Sequence, residues 1–139
     1  MTDWIAIIVG AIINAVLTIV LALVFFPLFF LGPIIGGFIT VYLMRDEYES
    51  GIVHGGLAGV LGGLMIGILS LLGVGVLAAV IGIILAELGL AVGAIGVILV
   101  IFFTILAMLI GGVLSAIGGA IGEYVQSAGN KSHYEYEDY

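Results

Sequence analysis

The sequence contains no cysteine and only two basic residues, Arg45 and Lys131, among its 139 residues. Without cysteine the chain has no disulfide, no thiolate nucleophile and no cysteine-based metal site. Two basic side chains are too few for the positive patch of a nucleic-acid-binding protein or for a polybasic lipid-binding patch. We therefore expect no nucleic-acid partner, and no motif in the chain predicts a metal or a cofactor.

Charge of either sign is scarce, since charged residues make up 8% of the chain and hydrophobic residues 64%. The mean hydropathy is +1.48, whereas soluble proteins are about 45–50% apolar and about 25% charged. This composition predicts an all-α integral membrane protein in contact with membrane lipid. No basic residue precedes the apolar run that begins at Trp4, so we expect a retained first helix rather than a cleaved signal peptide.

Glycine, by contrast, is abundant, and part of it is regularly spaced. Five glycines recur at four-residue steps: Gly51, Gly55, Gly59, Gly63 and Gly67. This spacing places them on one face of a helix. Interior glycines cost a helix in water roughly 1 kcal/mol each, but in lipid they let a second helix approach closely. The pattern therefore predicts a transmembrane helix with a glycine-zipper packing face.

A second stripe of small residues follows near the end of the apolar region. Gly111, Ser115 and Gly119 again recur at four-residue steps. Small side chains are enriched where membrane helices touch, so this stripe is the natural partner of the first one. The spacing leaves open whether the two stripes meet within one chain or between protomers.

The apolar runs predict a helical bundle over residues 1–125, followed by an acidic, tyrosine-rich polar tail over 126–139. A membrane-spanning helix needs about 20 apolar residues. Because proline disfavours helix at the preceding residue, we expect a break near Pro27 or Pro33. The predicted spans are residues 4–26, 29–44, 51–72 and 97–124.

The apolar stretch 73–96 is either an outer connection, which makes four spans, or a fifth span. We prefer four, because residues 35–43 and 117–125 share the pattern I-G-G-x-I-x-x-Y, which suggests a pseudo-repeat of two hairpins. An even number of later spans also puts the loop 45–50, the tail and both basic residues on one side. The positive-inside rule would place that side in the cytoplasm.

Few polar residues are candidates for function. Asn14 and Thr18 lie one turn apart, and we interpret them as partners in an interhelical hydrogen bond in preference to a ligand site. Glu87 is an acid within the apolar region, so it is the leading candidate for proton or ion handling; the preferred interpretation, with four spans, places it near the outer surface without such a role. His54, near the acidic loop, is a second candidate, and here a structural role at the membrane surface is preferred. Asn130 begins the triplet Asn-Lys-Ser, which matches a glycosylation acceptor.

Three glycine-rich runs carry a family resemblance: LGPIIGG at 31–37, GIVHGGLAG at 51–59 and SAIGGAIGEY at 115–124. In these runs the chain resembles a family of small archaeal multi-pass membrane proteins known as domain of unknown function 5518. The resemblance implies four helices and an archaeal cell membrane, and it supplies no active residue.

No constellation of side chains predicts an enzyme. Our preferred hypothesis is a non-enzymatic structural or assembly protein of the membrane, which forms a homo-oligomer or docks to a larger membrane complex through its glycine-rich faces. The alternative is a small ion or proton channel, or a transporter subunit, that uses Glu87, either alone or together with His54.

Overall fold

The structure, a computed structural model, describes residues 3–44 and 50–134 of the chain. Arg45, Lys131 and the glycosylation candidate Asn130 lie outside the residues or side chains that it describes. Within the described ranges the protein is all-helical and has four α-helices. This agrees with the all-α class and the four helices that the sequence predicts.

The first hairpin consists of α1, Trp4–Val24, and α2, Leu31–Leu43. Asp3 caps α1, because its carboxylate accepts a hydrogen bond of 3.3 Å from the backbone N–H of Ala6. A short 3₁₀ helix, Phe26–Phe30, connects the two helices and carries proline in its first turn. Of the two predicted break points, the chain therefore uses the one at Pro27.

The second hairpin consists of α3, Gly51–Ile84, and α4, Ala86–Tyr134. Leu85 alone separates them, with φ −139° and ψ 88°. The predicted helix ends at residues 72 and 97 were therefore wrong, because the expected connection 73–96 is helical almost throughout. It contains no proline and only one charged residue, so apart from the turn at Leu85 its backbone keeps the helical hydrogen bonds that hydrocarbon requires.

This hairpin also bears on the number of spans, because a fifth span would need three helices after residue 50. The structure describes two helices there, over residues 51–134.

The tight turn between α3 and α4 depends on Gly82 and Gly89, whose backbones touch: a Cβ added at Gly89 would lie 2.6 Å from the Gly82 nitrogen. Two glycines at this crossing allow the helices to reverse direction within one residue.

Three helices are long and apolar enough to cross a membrane, namely Trp4–Val24, Gly51–Ile84 and Ala86–Ala128 of the described chain. A shorter apolar helical stretch, Pro27–Leu43, accompanies them. These lengths indicate a multi-pass membrane protein. The second hairpin is much longer than the first, so α1 and α2 cover only the part of it that is nearer the loop at 44–50.

The fold predicts that the two ends of α4 lie on opposite sides of the membrane. Because the chain has no cysteine, Glu87→Cys and Ser127→Cys each introduce a single thiol. In sealed proteoliposomes of uniform orientation, we expect a membrane-impermeant maleimide to label one variant from outside and the other only after permeabilisation. Labelling of both variants from the same side would contradict this topology.

Candidate functional site

The two stripes of small residues face each other within the chain and form what we call the glycine seam. It consists of Gly51, Gly55, Gly59, Gly63 and Gly67 on α3 and of Gly111, Ser115 and Gly119 on α4. A Cβ added at Gly51 would lie 2.6 Å from the Gly119 carbonyl oxygen, and one at Gly55 would lie 2.9 Å from the Gly119 Cα. Real Cβ contacts are longer, so only hydrogen fits at these positions.

The other end of the seam is equally close. A Cβ added at Gly59 would lie 2.7 Å from the Gly111 carbonyl carbon, and one at Gly63 would lie 2.9 Å from the Met108 nitrogen. At Gly67 the neighbour is the side chain of Thr104. The backbones of α3 and α4 are therefore in direct contact along the seam. Each stripe of small residues is already covered by the other stripe of the same chain.

Ser115 stands where three helices meet. Its side chain is fully buried, and it contacts Gly59 on α3 and Gly37 on α2, where an added Cβ would lie 2.5 Å from the Ser115 Cβ and 2.7 Å from its Oγ, respectively. Its hydroxyl has no hydrogen-bond partner among the described residues. The small size of the side chain, rather than its polarity, is what this position uses.

Glycines that the sequence reasoning did not select hold α2 in place. A Cβ added at Gly36 of α2 would lie 2.9 Å from the Gly10 carbonyl oxygen of α1. On its other side, Ile34 contacts Gly118 of α4, where an added Cβ would lie 2.8 Å from the Ile34 carbonyl carbon. The repeated I-G-G pattern contains both Gly36 and Gly118, and its two copies lie on neighbouring helices that run in the same direction.

The end of the bundle near the loop is closed by two polar side chains of α4. The Glu123 carboxylate accepts a hydrogen bond of 2.8 Å from the N–H of Gly51, the first residue of α3. The Gln126 side-chain amide donates one of 3.3 Å to the carbonyl of Met44, just beyond α2. Helix ends leave such groups without a partner, so α4 fastens both ends of the α2–α3 loop. Sequence reasoning did not assign Gln126 a role.

His54 belongs to this closed end of the bundle. Its side chain is buried, 6% exposed, and its Nδ1 lies 3.1 Å from the Ser50 carbonyl oxygen. A carbonyl oxygen can only accept, so Nδ1 carries the proton and donates. The contact ties His54 to the turn that precedes α3.

Glu87 lies at the opposite end of the molecule. It is exposed and sits in the first turn of α4, where the helix dipole favours a negative charge. The thirty helical residues between His54 and Ile84 rise about 45 Å. The structure thus separates the two residues of the ion-handling alternative. Among the described residues no three His, Cys, Asp or Glu side chains cluster as a metal site would require.

A lateral groove of about 610 Å³ opens between the two hairpins. Residues between Gly59 and Val74 of α3 and between Gly96 and Leu114 of α4 form its floor. The first hairpin contributes Asn14, Thr18, Phe29 and Pro33 to the opposite wall. Exposed side chains such as Phe103, at 58%, line its rim, so it is open to the surroundings of the protein. Its size and apolar lining are typical of small-molecule sites.

The comparison with known families identifies the chain's relatives. The model of a family of unknown function (DUF5518) matches residues 4–125, which is most of the chain and includes the whole seam. The chain belongs to this family, as the resemblance implied. No curated protein and no solved structure matches the chain.

The seam predicts opposite effects for the same substitution at two positions of α3. In Gly59→Ala the new methyl group meets the α4 backbone, and we expect a loss of about 1–3 kcal/mol, the usual cost of overpacking. At Gly73 an added Cβ meets no atom within 4 Å, so we expect Gly73→Ala to be neutral or mildly stabilising. Reversible unfolding in mixed micelles, followed by circular dichroism, measures both. Equal effects would contradict the seam.

The closed end predicts a graded loss for two substitutions of Glu123. We expect Glu123→Ala to lower the free energy of unfolding by about 1 kcal/mol, because the first N–H of α3 loses its acceptor. Glu123→Gln keeps an oxygen that accepts, so its loss is smaller. The same unfolding assay ranks the variants, and an effect of Glu123→Gln as large as that of Glu123→Ala would mean that the charge matters and not the cap.

Proposed function

We propose that this member of the DUF5518 family is a non-enzymatic integral membrane protein with a structural or assembly role. In this proposal all four helices insert in the membrane and glycine-zipper packing along the seam makes them a stable bundle. The part of the α3–α4 hairpin beyond α1 and α2 associates with a second copy of the chain.

The observation that carries this proposal is the unequal length of the helices. α1 has 21 residues and rises about 31 Å, which matches a hydrocarbon core of about 30 Å. α3 has 34 residues and rises about 51 Å. Even at a tilt of about 40°, the upper end of the usual range, α3 would extend about 39 Å along the membrane normal.

The projecting part of the hairpin is apolar on its outer surface. Leu72 is 63% exposed, Val76 66% and Ile83 85%. An apolar helix that exceeds the bilayer can tilt, thicken the bilayer or associate with another protein. Tilt alone leaves an excess of roughly 9 Å, and contact with a second protein would cover these apolar side chains without deforming the bilayer.

One outer face of α3 suits contact with a second copy. Gly75 and Ala79 are both exposed and lie one turn apart, and a Cβ added at Gly75 would meet no atom within 4 Å. Small residues spaced four apart allow close packing of membrane helices. Two-fold symmetry is the commonest symmetry of homo-oligomers. It would place this face of one copy against the same face of the second copy.

We also propose that the loop 45–50 and the end of α4 with the C-terminal tail lie on the cytoplasmic side. The hydrogen bonds of Glu123 and Gln126 bring the two segments together. Trp4, Tyr42 and Tyr124 are exposed near this end, where aromatic side chains favour the membrane surface. Both basic residues of the chain flank the same end in sequence, which the positive-inside rule favours in the cytoplasm.

The proposal predicts that a double substitution on the outer face of α3 separates the copies. In Gly75→Leu with Ala79→Leu, bulky side chains replace both small ones, and we expect monomers where the original protein forms dimers. Single-molecule photobleaching in liposomes at low protein-to-lipid ratio counts the copies. The matched control is Gly73→Leu, two residues away on roughly the opposite side of the helix, which should leave dimers intact.

The unfolding assay accompanies this experiment, because the double variant must keep its fold for the count to be meaningful. A protein that is monomeric before any substitution contradicts self-association. Dimers that survive the double variant but not the Gly73→Leu control would place the interface on the other side of the hairpin.

A further inference from the structure

We propose that the lateral groove binds a lipid-soluble molecule with a hydrocarbon chain and a carbonyl oxygen near one end, and that the Asn14 side-chain amide donates a hydrogen bond to that oxygen. This inference does not depend on the proposed function, because it concerns the other side of α3 and needs no second copy.

The hydrocarbon part of the ligand follows from the shape and lining of the groove. Along α3 the floor extends from Gly59 to Val74, a rise of about 22 Å. The described residues that line it include no Asp, Glu, Lys, Arg or His. A long apolar groove without a charged side chain fits one hydrocarbon chain of a ligand. It has no group that would bind a charged headgroup.

The oxygen follows from the polar side chains of the groove. Four of them line it: Asn14, Thr18, Ser70 and Thr104. The three hydroxyls already donate within the protein: Thr18 to the Asn14 side-chain oxygen at 3.1 Å, Ser70 to the Ile66 carbonyl at 2.8 Å and Thr104 to the Val100 carbonyl at 2.6 Å. No hydroxyl proton therefore remains for a ligand.

Asn14 differs from these hydroxyls. Its side chain is 2% exposed, and the bond from Thr18 is the one hydrogen bond it makes among the described residues. That bond uses the amide oxygen and leaves the NH₂ group, which has two donors, without an acceptor. In a hydrocarbon environment a donor without an acceptor is costly in free energy. A ligand oxygen that only accepts hydrogen bonds would supply the acceptor that the Asn14 NH₂ group lacks.

The position of Asn14 places that oxygen along the ligand. The amide lies against Gly62 of α3, where an added Cβ would be 2.9 Å from the Asn14 Cγ. Gly62 is less than one turn from Gly59, where the groove begins. The carbonyl thus sits at the inner end, and the hydrocarbon chain extends from there towards Val74 and the rim.

The test compares two probes that differ at one carbon atom, which is a carbonyl in heptadecan-2-one and a methylene in heptadecane. Apparent dissociation constants for the detergent-solubilised protein are measured by native mass spectrometry. We expect the ketone to bind about 3- to 20-fold more tightly, the range of one hydrogen bond inside a membrane protein. Asn14→Leu, which has a similar volume, should abolish this preference while the binding of heptadecane remains.

Three further variants complete the test. Ser70→Phe fills the groove from an exposed position and should weaken both probes, whereas Leu72→Phe, outside the groove, should weaken neither. Thr18→Val releases the Asn14 amide from its fixed orientation and should reduce the preference for the ketone. Equal binding of both probes to the original protein, or a preference that persists in Asn14→Leu, overturns the proposal. So does a groove that crosslinking shows to be occupied by a second copy.

Discussion

The structure depends on direct contact between the backbones of α3 and α4. In hydrocarbon there is no hydrophobic force between helices, so association relies on dispersion contacts, which weaken steeply with distance. Positions such as Gly55 and Gly59, where an added Cβ would meet the α4 backbone at less than 3 Å, bring the helix axes close together. In water the same glycines would weaken the helix. The membrane turns this local cost into the main source of tertiary stability, because the helix has no unfolded alternative there.

The polar groups follow the same constraint. Thr40, Ser70 and Thr104 each donate to a carbonyl one turn earlier in their own helix, which satisfies a hydroxyl without help from another helix. The ends of α2 and α3 are closed by Gln126 and Glu123 from α4. The Asn14 amide differs from these groups, because its two N–H donors have no acceptor among the described residues. Its position beside an open apolar groove is the reason that we assign it a ligand.

The unequal lengths of the two hairpins link the fold to its proposed role. Because α1 and α2 stop short, they leave both a groove beside α3 and a bare outer end of the α3–α4 hairpin. These surfaces lie on different sides of α3, so ligand binding and self-association can be separated by substitution. Neither surface involves Glu87, which sits at the turn of the hairpin, or His54, which is held at the closed end by the Ser50 carbonyl. The two candidate residues of the ion-handling alternative therefore lie at opposite ends of the molecule.

Much of the architecture was readable from local patterns, because membrane insertion enforces helix wherever the chain is apolar. The helical class, a proline break within the first apolar run and the small-residue faces of α3 and α4 follow from composition and local spacing, which are properties of neighbouring residues. The choice of Pro27 over Pro33 came from the structure. The extent of α3 was misjudged, because the preference for an even number of later spans left residues 73–96 as an outer connection, although Leu85 alone breaks the helix there. Only the tertiary structure decided that the two stripes meet within one chain, that Gln126 reaches Met44 and that Asn14 borders a groove. These are contacts between residues far apart in the chain, and helical periodicity states which face a residue occupies but not which helix will lie against that face.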